Sequence, residues 1–168
     1  MDIVIRLLHH NDIAPVRDIT WQSWMNTYAP FVPQGDLEVY FKRHYSLDAL
    51  AQLFSSPDVY GYVGAIDKQT VGYIKTLFAR NENLFYITSL YVLPAYQGKG
   101  VGTQLINAAL QRAREYSVRE IWIGVMVENR ATLTWYKKLG FQFVREEPFT
   151  MGTATIAHRI GYKLLDPL

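Results

Sequence analysis

The sequence predicts a single α+β domain, spanning residues 1–168, that is built around one mixed sheet. Its length suits one domain able to bury about 70% of its unfolded surface. Hydrophobic residues make up 49% of the chain and charged residues 19%, as in ordinary globular proteins. Strand-like segments follow one another in the middle and at the end of the chain, with helical segments before and between them. This order predicts a mostly antiparallel sheet flanked by helices.

The first third of the chain predicts one strand followed by helices. The apolar run from Ile3 to Leu8 is typical of a strand. From Asn11 to about Tyr28, apolar residues recur at helical spacing behind a polar N-cap. Two prolines then interrupt the chain. Two short helices, DLEVYFKRHY and LDALAQLF, are predicted after them, and Ser46 is the expected cap of the second.

The middle of the chain predicts three consecutive strands and a helix. The segments VYGYVGAI and VGYIKTLF are separated by the polar residues DKQT, a pattern that predicts a hairpin. The run from Leu84 to Leu93 has the strongest strand pattern, and Pro94 ends it. After a glycine-rich stretch, apolar residues at helical spacing predict a helix that ends near Tyr116.

The last third predicts a strand, a helix and two further strands. EIWIGVMV is apolar enough for a buried strand. Asn129 is the expected start of the next helix, and Gly140 is expected to end it in a left-handed conformation. FQFVREE and IAHRIGYKLL are the two final strands. The whole chain therefore predicts a sheet of about seven strands.

The segment YQGKGVGTQL places three glycines at alternate positions directly before a helix. Backbone N–H groups at such a helix start can bind an anion such as a phosphate. A Walker A loop is excluded because Gly100 follows Lys99, and a dinucleotide-binding loop is excluded because Thr103 stands where its third glycine would be. The alternative is that the glycines only permit close packing of helix and strand.

Two motifs resemble signatures of the GNAT N-acetyltransferases. YVLPAYQGKGVGTQLI is similar to the Gln-x-x-Gly-x-Gly loop of that family, with Gln97, Gly100 and Gly102 at its fixed positions. VENRATLTWYKKLGF is similar to the second signature, with Asn129 followed by Tyr136. The chain is identified as a member, most similar to PaiA-like spermidine/spermine N-acetyltransferases. The resemblance implies the GNAT acyl-CoA N-acyltransferase fold, in which the fourth and fifth strands splay apart.

The resemblance also implies direct transfer of an acetyl group from acetyl-CoA, as co-substrate, to a primary amine. The pantetheine arm is expected beside Leu90, Tyr91 and Val92, and the Val92 N–H would stabilise the oxyanion. Asn129 would contact the amide arm, and Tyr136 would protonate the departing thiolate. Lys138 is expected near the phosphates. The loop residues expected to bind the pyrophosphate are Gln97, Gly98, Lys99, Gly100, Val101, Gly102 and Thr103.

A general base is not evident in the sequence. The fourth strand, LFYITSLYV, contains no carboxylate, although many family members carry a glutamate there. Alternation predicts that Tyr86, Thr88 and Leu90 share one face, so that Tyr86 or Thr88 could order a water. Deprotonation of the amine is then expected to depend on water and pH. The four histidines show no metal-ligand spacing and are expected at the surface or in packing.

The acceptor site is expected among the aromatic residues of the first helices. Tyr28 could line a slot for the methylene chain of a polyamine, with Asp36 or Glu38 at its end. Two other hypotheses stay open. One is acetylation of a protein or peptide α-amine, which needs an open groove. The other is a non-catalytic, acetyl-CoA-binding regulatory module, suggested by the missing strand carboxylate.

Composition limits the remaining partners. The net charge is +2 and no Lys/Arg run stands out, so nucleic acid is not an expected partner. No apolar run has the length of a membrane span, and the N-terminus does not resemble a signal peptide. The absence of cysteine excludes thiolate metal sites and agrees with a cytoplasmic location. We expect no metal and either a monomer or a homodimer.

Overall fold

Seven strands form one continuous sheet in the order β1-β2-β3-β4-β5-β7-β6 in a computed structural model that describes residues 2–166. Only β4 and β5 pair in parallel; the other neighbours are antiparallel. The strands are β1 Ile3–Leu7, β2 Val59–Ile66, β3 Gln69–Ala79, β4 Leu84–Val92, β5 Glu120–Met126, β6 Gln142–Met151 and β7 Ala154–Leu164. The helices are α1 Ile13–Thr27, α2 Gln34–His44, α3 Leu47–Phe54, α4 Val101–Glu115 and α5 Arg130–Lys138. The predicted fold class is confirmed.

Helices cover both faces of the sheet. One face packs against the apolar stripe of α4, whose predicted core residues are all buried, together with Tyr136 and Phe141. The other face is covered by α1, α2 and α3 through a second apolar cluster that includes Trp24, Leu37 and Phe41. Within the described residues, no helix is both long and apolar enough to cross a membrane.

The parallel strands β4 and β5 separate after three paired positions. Their last pair is Ile87 with Ile123, whereas β4 stays paired with β3 as far as Val92. Strand β5 likewise stays paired with β7 to its end at Met126. A gap therefore opens between the carboxyl-terminal halves of β4 and β5. The expected splay of the fourth and fifth strands is present.

A β-bulge at Thr88 changes which residues of β4 share a face. Lys75 pairs with Ser89 and Thr76 with Ile87, so Thr88 has no partner residue on β3. Before the bulge, Ile87 packs against the α4 side; after it, Leu90 does. The expectation that Tyr86, Thr88 and Leu90 share one face is therefore wrong, because the extra residue reverses the alternation.

Two hairpins differ from their predicted limits. The turn between β2 and β3 contains only Asp67 and Lys68, instead of the four predicted residues DKQT. Both residues have positive φ, which gives the two-residue turn the same twist as the flanking strands. Strands β6 and β7 extend past Pro148 to a turn at Gly152 and Thr153. A proline is tolerated there because β6 lies at the edge of the sheet.

Candidate active site

The gap between β4 and β5 is the centre of a cavity of about 530 Å³. This volume is in the range usual for small-molecule sites. Its lining includes Val92 and Gln97 on one side of the gap and Asn129 and Tyr136 on the other. Toward α1 and α2 the cavity continues between aromatic side chains, which are Trp24, Tyr28, Tyr40 and Tyr45.

The backbone of Val92 faces the gap. The N–H of Leu93 donates to Val71 O on β3 at 2.8 Å. Because successive backbone groups alternate along a strand, the N–H groups of Val92 and Leu90 point away from β3, toward the gap. The backbone of Tyr91 points to β3, so its N–H and C=O do not face the gap, although its side chain lines the cavity. Gln97 Nε2 donates to Val92 O at 3.0 Å and holds this end of the strand.

Tyr136 lies in the second turn of α5 and its side chain is buried, with 3% of its surface exposed. Asn129 caps that helix: its Oδ1 accepts a hydrogen bond from Thr132 N at 3.4 Å. Burial raises the pKa of Tyr136 above the ordinary value, so the phenol keeps its proton at all physiological pH values. It can therefore donate a proton or a hydrogen bond, and it does not act as a phenolate base.

The glycine-rich loop presents free N–H groups. Across the described residues, the N–H groups from Gly98 to Thr103 donate no hydrogen bond to another residue. Gly98 and Gly100 have φ of 72° and 89°, which a residue with a side chain rarely adopts. The Gln97 N–H, in contrast, donates to Pro94 O at 3.3 Å, so the free groups begin one residue later than expected.

Gly102 has a packing role. A Cβ at this position would lie 3.3 Å from the ring of Trp135 on α5, so the glycine lets α4 and α5 approach each other. Lys99 places its Nζ 5.2 Å from the ring centre of Tyr96, and Lys138 is exposed on α5. The two interpretations of the loop therefore apply to different glycines: Gly98 and Gly100 shape the N–H cradle, and Gly102 permits packing.

Comparison with known proteins decides the family. Residues 16–141 match the model of the acetyltransferase (GNAT) family. The chain belongs to the GNAT acetyltransferase family. It is accordingly an acetyl-CoA-dependent N-acetyltransferase.

Individual relatives confirm the resemblance to PaiA-like members. The chain is 26% identical over 147 residues to spermidine N(1)-acetyltransferase of Thermoplasma acidophilum, covering 84% of this chain and 89% of the relative. It is 32% identical over 95 residues to an N-alpha-acetyltransferase of Sulfurisphaera tokodaii, covering 50% of this chain and 57% of the relative. The fold is similar, with a TM-score of 0.83 and 23% identity, to PaiA N-acetyltransferase from Thermoplasma acidophilum in complex with coenzyme A; 98% of this chain and 99% of that chain are covered.

Three residues expected at the acceptor site of this GNAT enzyme lie elsewhere. Asp36 Oδ2 accepts hydrogen bonds from the N–H and hydroxyl of Thr153, at 3.1 and 2.5 Å. Glu38 accepts a hydrogen bond from Gln34, and the Tyr86 hydroxyl donates to Glu82. None of the three lines the cavity, whereas Tyr28 and Thr88 do, as expected. Asp36 joins α2 to the hairpin between β6 and β7.

Replacing Asp36 with alanine is expected to lower the free energy of unfolding by about 1 kcal/mol, because the hairpin turn loses two exposed hydrogen bonds. The KM for acetyl-CoA should not change. Chemical denaturation measures the first quantity. Glu38→Gln is the matched control on the same helix, since Glu38 contacts only a neighbouring side chain of α2. A higher KM for the acceptor, with an unchanged free energy of unfolding, would instead support a role for Asp36 in binding the acceptor.

The cavity also contains polar residues that the sequence analysis did not assign. His158 on β7 lies opposite Met126, at the end of β5, and lines the cavity. Burial lowers the pKa of His158, against the opposing effects of the Ile156 backbone and Glu128. The imidazole is therefore neutral near pH 7 and able to accept a proton. No local signal marks it, because only the sheet order, with β7 between β5 and β6, brings it to the gap.

Lys75, Ser23 and Ser89 are three further polar residues of the lining without a role assigned from the sequence. All three line the cavity. Burial lowers the pKa of Lys75 to about 8, without a contribution from any carboxylate. The Oγ atoms of Ser23 and Ser89 are buried and have no hydrogen-bond partner within the described residues. Groups of three or more histidine or acidic side chains able to hold a metal ion do not occur in residues 2–166.

Proposed function

We propose that the enzyme transfers the acetyl group directly from acetyl-CoA to a primary amine of a small molecule bound in the cavity. The observation that carries this proposal is the continuity of one cavity. It connects the free backbone edge at Val92 and the phenol of Tyr136 with the aromatic walls on α1 and α2. A thioester lying in the gap would meet an amine arriving from the aromatic side.

The proposed cofactor contacts follow from the free backbone groups. The pyrophosphate would accept hydrogen bonds from the N–H groups of Gly98 to Thr103, at the positive end of the α4 dipole. The pantetheine arm would pair with the gap-facing edge of Leu90 and Val92, as an added strand does. Asn129 lies on the opposite wall, within the same cavity. Lys99 or Lys138 would add positive charge from the surface.

In the proposed reaction, the neutral amine nitrogen attacks the thioester carbonyl carbon. The oxyanion that forms accepts a hydrogen bond from the Val92 N–H, an effect often worth about 3 kcal/mol. When the C–S bond breaks, the electron pair goes to sulfur, the Tyr136 hydroxyl donates its proton to the thiolate, and the phenolate then regains a proton from solvent. The attacking nitrogen then loses a proton to a water molecule. The neutral imidazole of His158, which lines the cavity, can accept that proton from the water.

The shape of the cavity favours a small acceptor over a polypeptide. Phe149 on the β6–β7 hairpin packs against Tyr40 of α2, with ring centres 6.0 Å apart, and Asp36 ties the hairpin turn to the same helix. This contact would narrow the cavity beside the hairpin, whereas a polypeptide acceptor needs an open groove. The N-alpha-acetyltransferase relative is the observation that keeps the peptide hypothesis as a second candidate.

Polyamines are one acceptor class within this proposal. The relative named spermidine N(1)-acetyltransferase supports them, and aromatic walls can contact ammonium groups. The residues proposed to hold a distal ammonium, Asp36 and Glu38, lie outside the cavity. Glu147 is the carboxylate in the described lining, and its charge is paired with Arg145 at 2.7 Å. Charge in the cavity therefore does not add to the support for polyamines.

The proposal can be tested by measuring thiol release from acetyl-CoA. Three acceptors are compared in separate assays: an alkylamine, spermidine, and a peptide with a free N-terminus. We expect at least one small amine to exceed the peptide in kcat/KM by about tenfold or more, since the hairpin contact would narrow the cavity. A faster reaction with the peptide would support α-amine acetylation instead. Binding of acetyl-CoA without release of thiol for any amine would indicate a regulatory module.

A further inference from the structure

Lys75 is a half-buried cation without a counter-ion in the acceptor part of the cavity. It projects from β3, next to the bulge in β4, and its Nζ lies 5.8 Å from the ring centre of Tyr45. No ion pair of Lys75 occurs among residues 2–166. Partial burial of an ammonium group without a partner carries a desolvation cost. Because Lys75 lines the cavity, an anionic group of a ligand there can supply the missing partner.

Two buried hydroxyl groups line the same cavity and also lack partners. Ser89 is the cross-strand neighbour of Lys75 and is 5% exposed, and Ser23 on α1 is 6% exposed. The Ser89 hydroxyl faces the phenols of Tyr45 and Tyr73 without reaching hydrogen-bonding geometry with either. Buried hydroxyls nearly always have a partner in folded proteins. Both can donate to an anion.

The structure thus collects positive charge and hydrogen-bond donors, and little negative charge, on one wall. The charged or titratable side chains that line this part of the cavity are Lys75, His158, Glu147 and the tyrosines 28, 40, 45 and 91. His158 is neutral near pH 7, and Glu147 is paired with Arg145 on β6. Lys75 is therefore the dominant unpaired charge.

We propose that Lys75, Ser23 and Ser89 form a subsite for an anionic group of the acceptor, which makes the acceptor an amino carboxylate rather than a polyamine. This inference rests on the proposed transfer to a small amine and names its substrate class. A carboxylate at the subsite would pair with the Lys75 ammonium and accept hydrogen bonds from the serine hydroxyls.

The position of the subsite also limits the spacing between the two groups of the acceptor. Ser89 precedes Val92 by three residues, about 10 Å along an extended strand. The amine has to reach the thioester carbonyl beside Val92, while the anion stays near Ser89 and the flexible Lys75 side chain. An acceptor with several bonds between amine and carboxylate fits this separation better than an α-amino acid does.

The test compares amino carboxylates from glycine to 6-aminohexanoate with alkylamines of the same carbon number. For the wild type, kcat/KM is expected to be about tenfold or more higher for the best amino carboxylate than for its matched alkylamine. Lys75→Met should reduce that ratio about tenfold, through KM, and Lys75→Arg should retain most of it because the charge is kept. Hexanoate should inhibit the wild type competitively against the alkylamine, and inhibit Lys75→Met much less.

Control variants and alternative outcomes distinguish an anion subsite from other roles of Lys75. Lys42→Met removes an exposed lysine of α2 and should leave the ratio unchanged. Lys75→Met should not lower the melting temperature, because an apolar side chain replaces a half-buried charge without an ion pair. An equal loss of kcat for both acceptor classes would overturn the subsite and assign Lys75 to proton transfer. A preference for spermidine, with a lower spermidine KM in Lys75→Met, would overturn it in favour of a cationic acceptor.

The subsite and the proposed function can fail separately. If alkylamines cause thiol release and amino carboxylates have the same kcat/KM as alkylamines, only the proposed subsite is contradicted. If calorimetry shows that acetyl-CoA binds but no amine causes thiol release, both the proposed function and the acceptor subsite are contradicted.

Discussion

Replacement of Gly100 with valine is expected to weaken acetyl-CoA binding by about 100-fold or more. Gly100 has φ of 89°, and a side chain there would force the backbone out of this conformation at a cost of about 1–2 kcal/mol. The space around a Cβ is otherwise open, with its nearest contact at 3.9 Å, so packing would not be disturbed. The reoriented loop would lose N–H groups that face the pyrophosphate, and each charge-assisted hydrogen bond is worth about 1.5–3 kcal/mol.

Titration calorimetry with acetyl-CoA measures this effect, and circular dichroism verifies that the variant stays folded. Gly35→Ala is the matched control, because Gly35 lies in α2, away from the loop, where an added Cβ would have no neighbouring atom within 4 Å. Gly102 is less suitable as a test, since its substitution also disturbs the contact with Trp135. An unchanged dissociation constant for Gly100→Val would mean that the loop is only a turn.

Tyr136→Phe is expected to lower kcat by about 100-fold, with little change in the KM for acetyl-CoA. The substitution removes the hydroxyl that would donate to the departing thiolate and leaves the buried ring in place. Because burial raises the pKa of Tyr136, the wild-type phenol is protonated throughout the assay range. The ratio of wild-type to variant kcat should therefore be the same at pH 6 and at pH 9, about one unit below the ordinary tyrosine pKa.

Steady-state kinetics with the best acceptor provide the measurement. Tyr86→Phe is the matched control: it removes a phenol hydroxyl from β4 that donates to Glu82 outside the cavity. Its kcat should equal that of the wild type. If Tyr136→Phe keeps its kcat, either solvent or another group protonates the thiolate.

Local signals in the sequence were sufficient for the order of elements, and they indicated the residues proposed to bind the cofactor. The periodicity of α4 predicted its buried face because a helix repeats every 3.6 residues whatever it packs against. Asn129 and Gly140 were likewise identifiable, since a cap and a left-handed helix end depend on a few neighbouring residues. Tyr136, which lines the cavity, was indicated by the resemblance to the second GNAT signature.

The residues that line the acceptor half of the cavity could not be predicted from the sequence, because contacts between distant segments bring them together. Lys75 and Ser89 become neighbours only through the pairing of β3 with β4, and the bulge at Thr88 sets the face on which Ser89 lies. His158 reaches the gap because β7 inserts between β5 and β6. Asp36 was predicted as a ligand contact from its charge, but a turn more than a hundred residues away takes its hydrogen bonds.

The sequence by itself therefore determined the elements and the family, and it indicated the residues proposed to bind the cofactor, because these signals lie within short stretches. Tertiary structure alone decided which polar groups line the acceptor cavity. The physical reason is that burial is not a property of a residue type. The ammonium of Lys75 is a solvated charge in the unfolded chain. It becomes a half-buried charge without an ion pair only when β3 pairs with β4 and the Tyr45 ring lies beside it.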